Sequence, residues 1–142
     1  MKKTKRHAFL KGLGLAVLIL LVLIPMGFMV MLHMDNPYEK YIVEKYVPTH
    51  IKKVGESPSG MIESMYVQPK HIINRDYYQG HYYVVYKDEP KYGYYYGVKK
   101  RGKKVVQFCE KETIVSEFET GDMVTSKTKH SEKTCEGYFE NR

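Results

Sequence analysis

The chain has 142 residues and a formal net charge of +7. Residues 1–32 carry five Lys/Arg and no acid, which leaves 18 Lys/Arg against 16 Asp/Glu, or +2, for residues 33–142. A basic excess held by an apolar segment's flank argues against nucleic acid as a partner, since that would want the charge on the folded domain.

Gly12–Leu32 reads GLGLAVLILLVLIPMGFMVML, 21 residues without a charge. As a helix this run spans about 30 Å, the thickness of a bilayer's hydrocarbon. It is longer than a signal peptide's apolar core, and its exit, Phe28 to Met34, has no small-residue cleavage pair. The run is therefore read as a retained single span in the lipid bilayer. Lys2, Lys3, Lys5, Arg6 and Lys11 precede it, whereas Lys40 and Lys45 after it are balanced by Asp35, Glu39 and Glu44. The positive flank belongs in the cytoplasm and the remainder outside. Pro25 is tolerable in a membrane helix. Gly12-x-Gly14 follows no strand and is no dinucleotide fingerprint.

Asn36-Pro37-Tyr38-Glu39 is a helix start: a capping residue, proline at the first position, and a carboxylate that can reach back. Helical spacing of Tyr38, Tyr41/Ile42, Lys45/Tyr46, Ile51 and Val54 carries the helix toward Gly55, with Pro48 expected to kink or split it. Met34-Asp35-Asn36 predicts a turn between the two helices. Residues 55–60 form a loop by composition. Strands are predicted at Met61–Val67, His81–Lys87, Tyr92–Val98 and Lys104–Glu110. Gln68–Gln79 is a connector or an irregular strand, and Asp88-Glu89-Pro90 a break. Lys99-Lys100-Arg101-Gly102-Lys103-Lys104 is a hairpin tip with Gly102 at positive φ. Thr113–Phe118 and Asp122–Ser126 predict a further hairpin around Gly121. The polar tail from Lys127 is expected to be poorly ordered unless Cys135 ties it to Cys109.

The fold class is α+β: an N-terminal transmembrane helix, then one helix packed on a small antiparallel meander. The domains are a basic cytoplasmic flank (1–11), the span (12–32), an extracytoplasmic α+β domain (33–112) and a C-terminal extension (113–142), partly hairpin and partly disordered. About 110 residues after the span suffice for one domain and not two.

The span, Asn36-Pro37-Tyr38-Glu39-Lys40-Tyr41, the Asp88-Glu89-Pro90-Lys91-Tyr92 turn, Tyr94-Tyr95-Tyr96 and Val105-Val106-Gln107-Phe108 together resemble a family of small membrane-anchored proteins from Gram-positive bacteria, catalogued as domain of unknown function 3139. The resemblance extends over about residues 8–112. It implies an anchor and this fold, and it implies no catalytic residue.

Fourteen tyrosines occur, nine of them between Tyr77 and Tyr96. Seven on two adjacent strands exceed what one helix can cover, so some ring area should stay exposed. Tyr82, Tyr83, Tyr86, Tyr94, Tyr95 and Tyr96 are the expected interaction surface, and amphipathic filler of a small sheet is the competing reading. The lysine-rich tip suits an anionic wall polymer or headgroups, or is a solvated turn. Cys109 and Cys135 are too few for a disulfide scaffold or a cysteine zinc site. They allow one bridge in an oxidising exterior, or two free thiols. Asp88 and Glu89 read as a turn, and His50, His71, His81 and His130 have no metal-ligand spacing. Ser57, Ser59 and Ser64 occupy no nucleophile elbow, and Cys109 has no neighbouring histidine. No catalytic residue, cofactor or metal site is expected, and the chain is read as a non-enzymatic interaction module acting on another envelope protein or a wall component. An accessory or inhibitory subunit of a membrane complex or envelope protease is the alternative.

Overall fold

The computed structural model describes residues 2–33, 36–69, 74–116 and 119–138. It falls into two units, Met1–Asn36 and Pro37–Arg142. The first unit is a single helix, α1 (Lys2–His33), continuous through Pro25. Its segment Lys11–Val30, with mean hydropathy 2.8, is long and apolar enough to cross a membrane. The turn expected at Met34 and Asp35 lies outside the described residues.

The second unit begins with α2 (Pro37–Lys53), which runs without interruption through Pro48. Pro48 has no N–H to return to Glu44, and Thr49 Oγ1 donates instead to the Lys45 carbonyl at 3.0 Å. The helix ends as glycine at position 55 predicts. Glu56 N–H reaches the Ile51 carbonyl at 3.1 Å, Gly55 N–H reaches Lys52 at 3.2 Å, and Gly55 takes a φ of 94°. This pair of bonds is a Schellman closure, which satisfies carbonyls the helix end would otherwise leave open. Glu39, in the first turn, accepts from the backbone N–H of Gln79 at 2.9 Å and of Gly80 at 3.3 Å, so it ties α2 to the connector just before His81.

Five strands follow: β1 (Met61–Val67), β2 (His81–Tyr86), β3 (Glu89–Val98), β4 (Val105–Ser116) and β5 (Glu119–Val124). They form one antiparallel sheet in the order β1-β2-β3-β4-β5, the α+β meander expected from the sequence. Three boundaries differ from that expectation. The β2–β3 turn is tighter, because Tyr86 already pairs with Glu89 and Pro90 lies inside β3. β4 continues where a break was expected after Glu110, since Lys111, Glu112 and Thr113 pair with β3. Gly121 lies within β5 rather than at a hairpin tip, because Glu112 pairs with Met123 and Ser116 with Glu119.

Alternation along the strands sorts the side chains onto two faces. Tyr82, Val84 and Tyr86 of β2 and Tyr94, Tyr96 and Val98 of β3 face α2. There Ile42, Val43, Val47 and Ile51 complete a buried core. Each of those four aliphatic side chains contributes roughly 1.5–3 kcal/mol by leaving water. On the opposite face Tyr77, Val106, Phe108 and Tyr138 form a second, aromatic cluster.

Tyr138 belongs to the tail, and the tail is the main surprise of the fold. Residues 127–138, expected to be poorly ordered unless the cysteines pair, follow the paired alternative: Cys109 and Cys135 are bridged. Beside the bridge the tail adds a short parallel pairing to β4. Glu136 N–H donates to the Gln107 carbonyl and Cys109 N–H to the Glu136 carbonyl, both at 3.0 Å. Residues 113–116 and 119–138 are thus part of the folded unit.

Candidate functional site

The six tyrosines expected to form an exposed surface do not do so. Tyr86, Tyr94 and Tyr96 are 1%, 0% and 1% exposed, and Tyr83 is also buried. Tyr82 and Tyr95 are half-buried. For Tyr86, Tyr94 and Tyr96 the reason is that α2 does not cover its face of the sheet alone, while Tyr83 and Tyr95 pack on each other on the opposite face, ring centroids 5.0 Å apart. The tail crosses the α2 face as a strap. His130 stacks on Tyr86, and its ring nitrogens meet Glu56 Oε1 and Asp88 Oδ1, each at 2.7 Å. Thr128 Oγ1 meets the Tyr94 hydroxyl at 2.5 Å. Gln107 holds the strap from beneath, donating to the His130 carbonyl at 2.8 Å and accepting from the Glu132 N–H at 2.6 Å. The same Gln107 amide donates to the Tyr96 hydroxyl at 2.9 Å, which lies 3.1 Å from that of Tyr86. Glu132 also meets His50 at 2.9 Å, at the end of α2. Burial pushes the Tyr86 hydroxyl up to about 12 and that of Tyr96 higher still. These are structural tyrosines.

Asp88 and Glu89, read as a turn, have a further use. Asp88 is paired with Lys129 as well as His130, and those hydrogen bonds, that of Lys129 first, hold its carboxyl down to about 2. Glu89 accepts from the Tyr94 hydroxyl and from the Lys129 backbone N–H. The turn is the strap's dock. In the Lys99–Lys104 tip Gly102 takes the expected positive φ, 76°. Part of its charge is committed: Lys99 pairs with Glu136 at 2.8 Å, and Lys100 donates to the Asn74 carbonyl at 3.1 Å.

The opposite face of the sheet carries a candidate binding site. A cavity of about 330 Å³ is lined by Val67, Gln68, Pro69, His81, Tyr95 and Phe108, with Glu110, Glu112, Met123 and Tyr138 closing it. Two glycines of β3 lie under aromatic rings on this face. A Cβ at Gly97 would fall on the Phe108 ring and one at Gly93 on the Tyr83 ring, so only glycine lets these aromatic rings lie across β3. His81 is enclosed by Tyr138, Phe108 and Tyr95, with ring centroids 4.7, 4.9 and 6.3 Å away. Its Nε2 is buried and has no hydrogen-bond partner. Burial lowers its pKa to about 4, so the imidazole is neutral at physiological pH.

The polar edge of the cavity is acidic. Glu110 is 9% exposed, and both its oxygens accept from the Tyr138 backbone N–H, at 3.1 and 3.0 Å. Glu112 accepts from the Tyr95 hydroxyl at 2.8 Å, which adds to burial in raising that hydroxyl. Among the described residues neither carboxylate has a salt-bridge partner, and no Lys or Arg lines the cavity. No Ser, Thr or Cys is among the described residues that line it.

His81, Glu110 and Glu112 were not expected as site residues from the sequence. Spacing at i, i+2 and i+4 from Phe108 does place Glu110 and Glu112 on its face of β4. Which face that is depends on the register with β3 and on the tail, and neither is visible locally. His71 lies outside the described residues. Of the described ones, no group of three or more His, Cys, Asp or Glu is placed to hold a metal ion.

Residues 13–96 match the model of a family described as protein of unknown function (DUF3139). No curated protein and no solved structure matches. The match runs from α1 into β3, somewhat shorter than the resemblance expected from the sequence. It includes Val67, Gln68, Pro69, His81 and Tyr95 of the cavity, whereas Phe108, Glu110, Glu112, Met123 and Tyr138 come from the chain beyond it.

Proposed function

The chain belongs to the DUF3139 family of proteins of unknown function, and we propose that it is a single-pass membrane protein whose folded unit acts outside the membrane as a non-enzymatic interaction module. The observation that carries this reading is the succession of a basic flank, the apolar helix α1 and, from Pro37, a folded unit closed by a disulfide. Five cations and no acid on the N-terminal side favour that side as cytoplasmic. The Cys109–Cys135 bridge supports the same orientation independently, because disulfides persist in oxidising compartments. The interaction face is the cavity side of the sheet, since the tyrosines of the other side are spent on the strap and α2. Its partner is another protein or component of the envelope, and the acidic cavity edge makes an anionic polymer a poor fit there.

The test is protease digestion of right-side-out and inside-out membrane vesicles. Digestion of residues 37–142 in right-side-out vesicles, with protection in inside-out ones, supports the reading. The reverse pattern, or release of the whole chain as a soluble protein after cleavage behind α1, overturns it.

A further inference from the structure

We infer that the cavity between β2, β4 and the tail binds an alkylammonium group, its apolar stem against the aromatic rings and its charge against Glu110 and Glu112. The proposal deepens the preceding reading by naming what the cavity side recognises, and rests on it only for which face is used.

Three observations point to a cation. Among the described residues the cavity is lined by two carboxylates and by no cationic side chain. Glu110 is buried, both its oxygens accept from the Tyr138 amide N–H, and among the described residues it has no salt-bridge partner, Lys111 acting on it only through its field. A buried carboxylate without a cation is costly, and a ligand bringing the missing charge removes that cost. Beside the two acids, the walls are rings and aliphatic groups: Tyr95, Phe108 and Tyr138, with Val67, Pro69 and Met123. Aromatic faces attract an ammonium through the ring quadrupole, and the aliphatic wall suits its methylene stem.

His81 is the independent sign that something is missing. A buried ring nitrogen without a partner calls for a specific explanation, and its ring lines this cavity. Kept neutral, His81 does not repel a cation and offers a lone pair or an N–H according to tautomer. A metal ion fits less well, because His81, Glu110 and Glu112 do not form a group placed to hold one among the described residues.

A lysine side chain of a partner protein and a free amine share this chemistry, and the probes separate them. The full chain in lipid nanodiscs is titrated with n-pentylammonium, 1-pentanol, hexanoate and N-acetyl-lysine methylamide, following the Met123 methyl and His81 ring resonances by NMR. The proposal expects saturable shifts with pentylammonium, at least ten-fold weaker binding of pentanol, and none with hexanoate. E110Q/E112Q should weaken pentylammonium binding at least ten-fold and leave pentanol unchanged. The lysine derivative binding at least as tightly as pentylammonium identifies a protein partner; weaker binding identifies a free amine. Equal binding of amine and alcohol, or an amine affinity unchanged in E110Q/E112Q, overturns the proposal. Should E110Q/E112Q fail to fold, E112Q alone, at a half-buried position, gives the same comparison with a smaller expected loss. Nanodisc binding does not depend on which side of a cell membrane the unit faces. Failure here therefore leaves the vesicle result standing, and the reverse.

Discussion

His130 lies flat on Tyr86, with ring centroids 3.8 Å apart and planes 12° from parallel. One residue comes from the tail and the other from the second strand, and their stack explains why a tyrosine-rich sheet exposes so little tyrosine. Replacing His130 with alanine removes the stack and both carboxylate contacts. We expect a loss of about 1–3 kcal/mol in denaturant unfolding. Tyrosine emission, the natural probe in a chain with no tryptophan, should also become more accessible to acrylamide while the disulfide stays intact.

The disulfide holds the strap from its other end. It closes a sequence separation of 26 residues, for which the loop-entropy model gives about 3.5 kcal/mol. Cys109→Ser/Cys135→Ser should lower stability by roughly that amount. Hydrogen exchange should rise first at the N–H groups of Cys109 and Glu136, whose bonds to each other's strands flank the bridge. A wild-type exchange pattern with unchanged stability would show that the strap is held without the bridge.

His81 gives a pH dependence with a definite sign. Its folded pKa of about 4 lies below the ordinary 6.5, so the folded state binds fewer protons than the unfolded one between these values. Stability is therefore full above about pH 6.5 and falls as pH drops toward 4, by about 3 kcal/mol in all. Asp88, held down to about 2, loses its own contribution only below the usual carboxylate range. His81→Phe should flatten the profile between pH 6.5 and 4 while leaving the steeper acid limb, as followed by unfolding at fixed denaturant.

Gly93 and Gly97 leave room for aromatic rings on the cavity side of β3. Gly97→Ala would push the Phe108 ring off β3, and Gly93→Ala the Tyr83 ring. Each should cost about 1–3 kcal/mol by overpacking. Only Gly97→Ala moves a ring that lines the cavity, so it alone should alter pentylammonium binding markedly.

Much of the fold is legible in the sequence because its signals are local. Pro37 and Gly55 bound α2, the alternation of His81–Tyr86 and of Tyr92–Val98 specifies strands and faces, and Gly102 marks the tip. What is not legible is what depends on distant partners. Lys111 and Glu112 look like a break between two strands, being charged, yet continue β4 because β3 is there to pair with them. His130, Glu132 and Cys135 look like a solvated tail until Tyr86, Gln107 and Cys109 are placed beneath them. The cavity fails for the same reason. Glu110 and Glu112 carry no local sign of a site, and only the returning Tyr138 walls the ground beside them.

The most direct measurement is site-specific photocrosslinking in native membranes, with a photoreactive residue at Met123, at the cavity, and a control at Tyr41, exposed on α2. The expected result is a discrete adduct from position 123 to an envelope component, absent from position 41 and lost in E110Q/E112Q. Adducts to cytoplasmic proteins, or equal labelling from both positions, would contradict an outward-facing module that works through its acidic cavity.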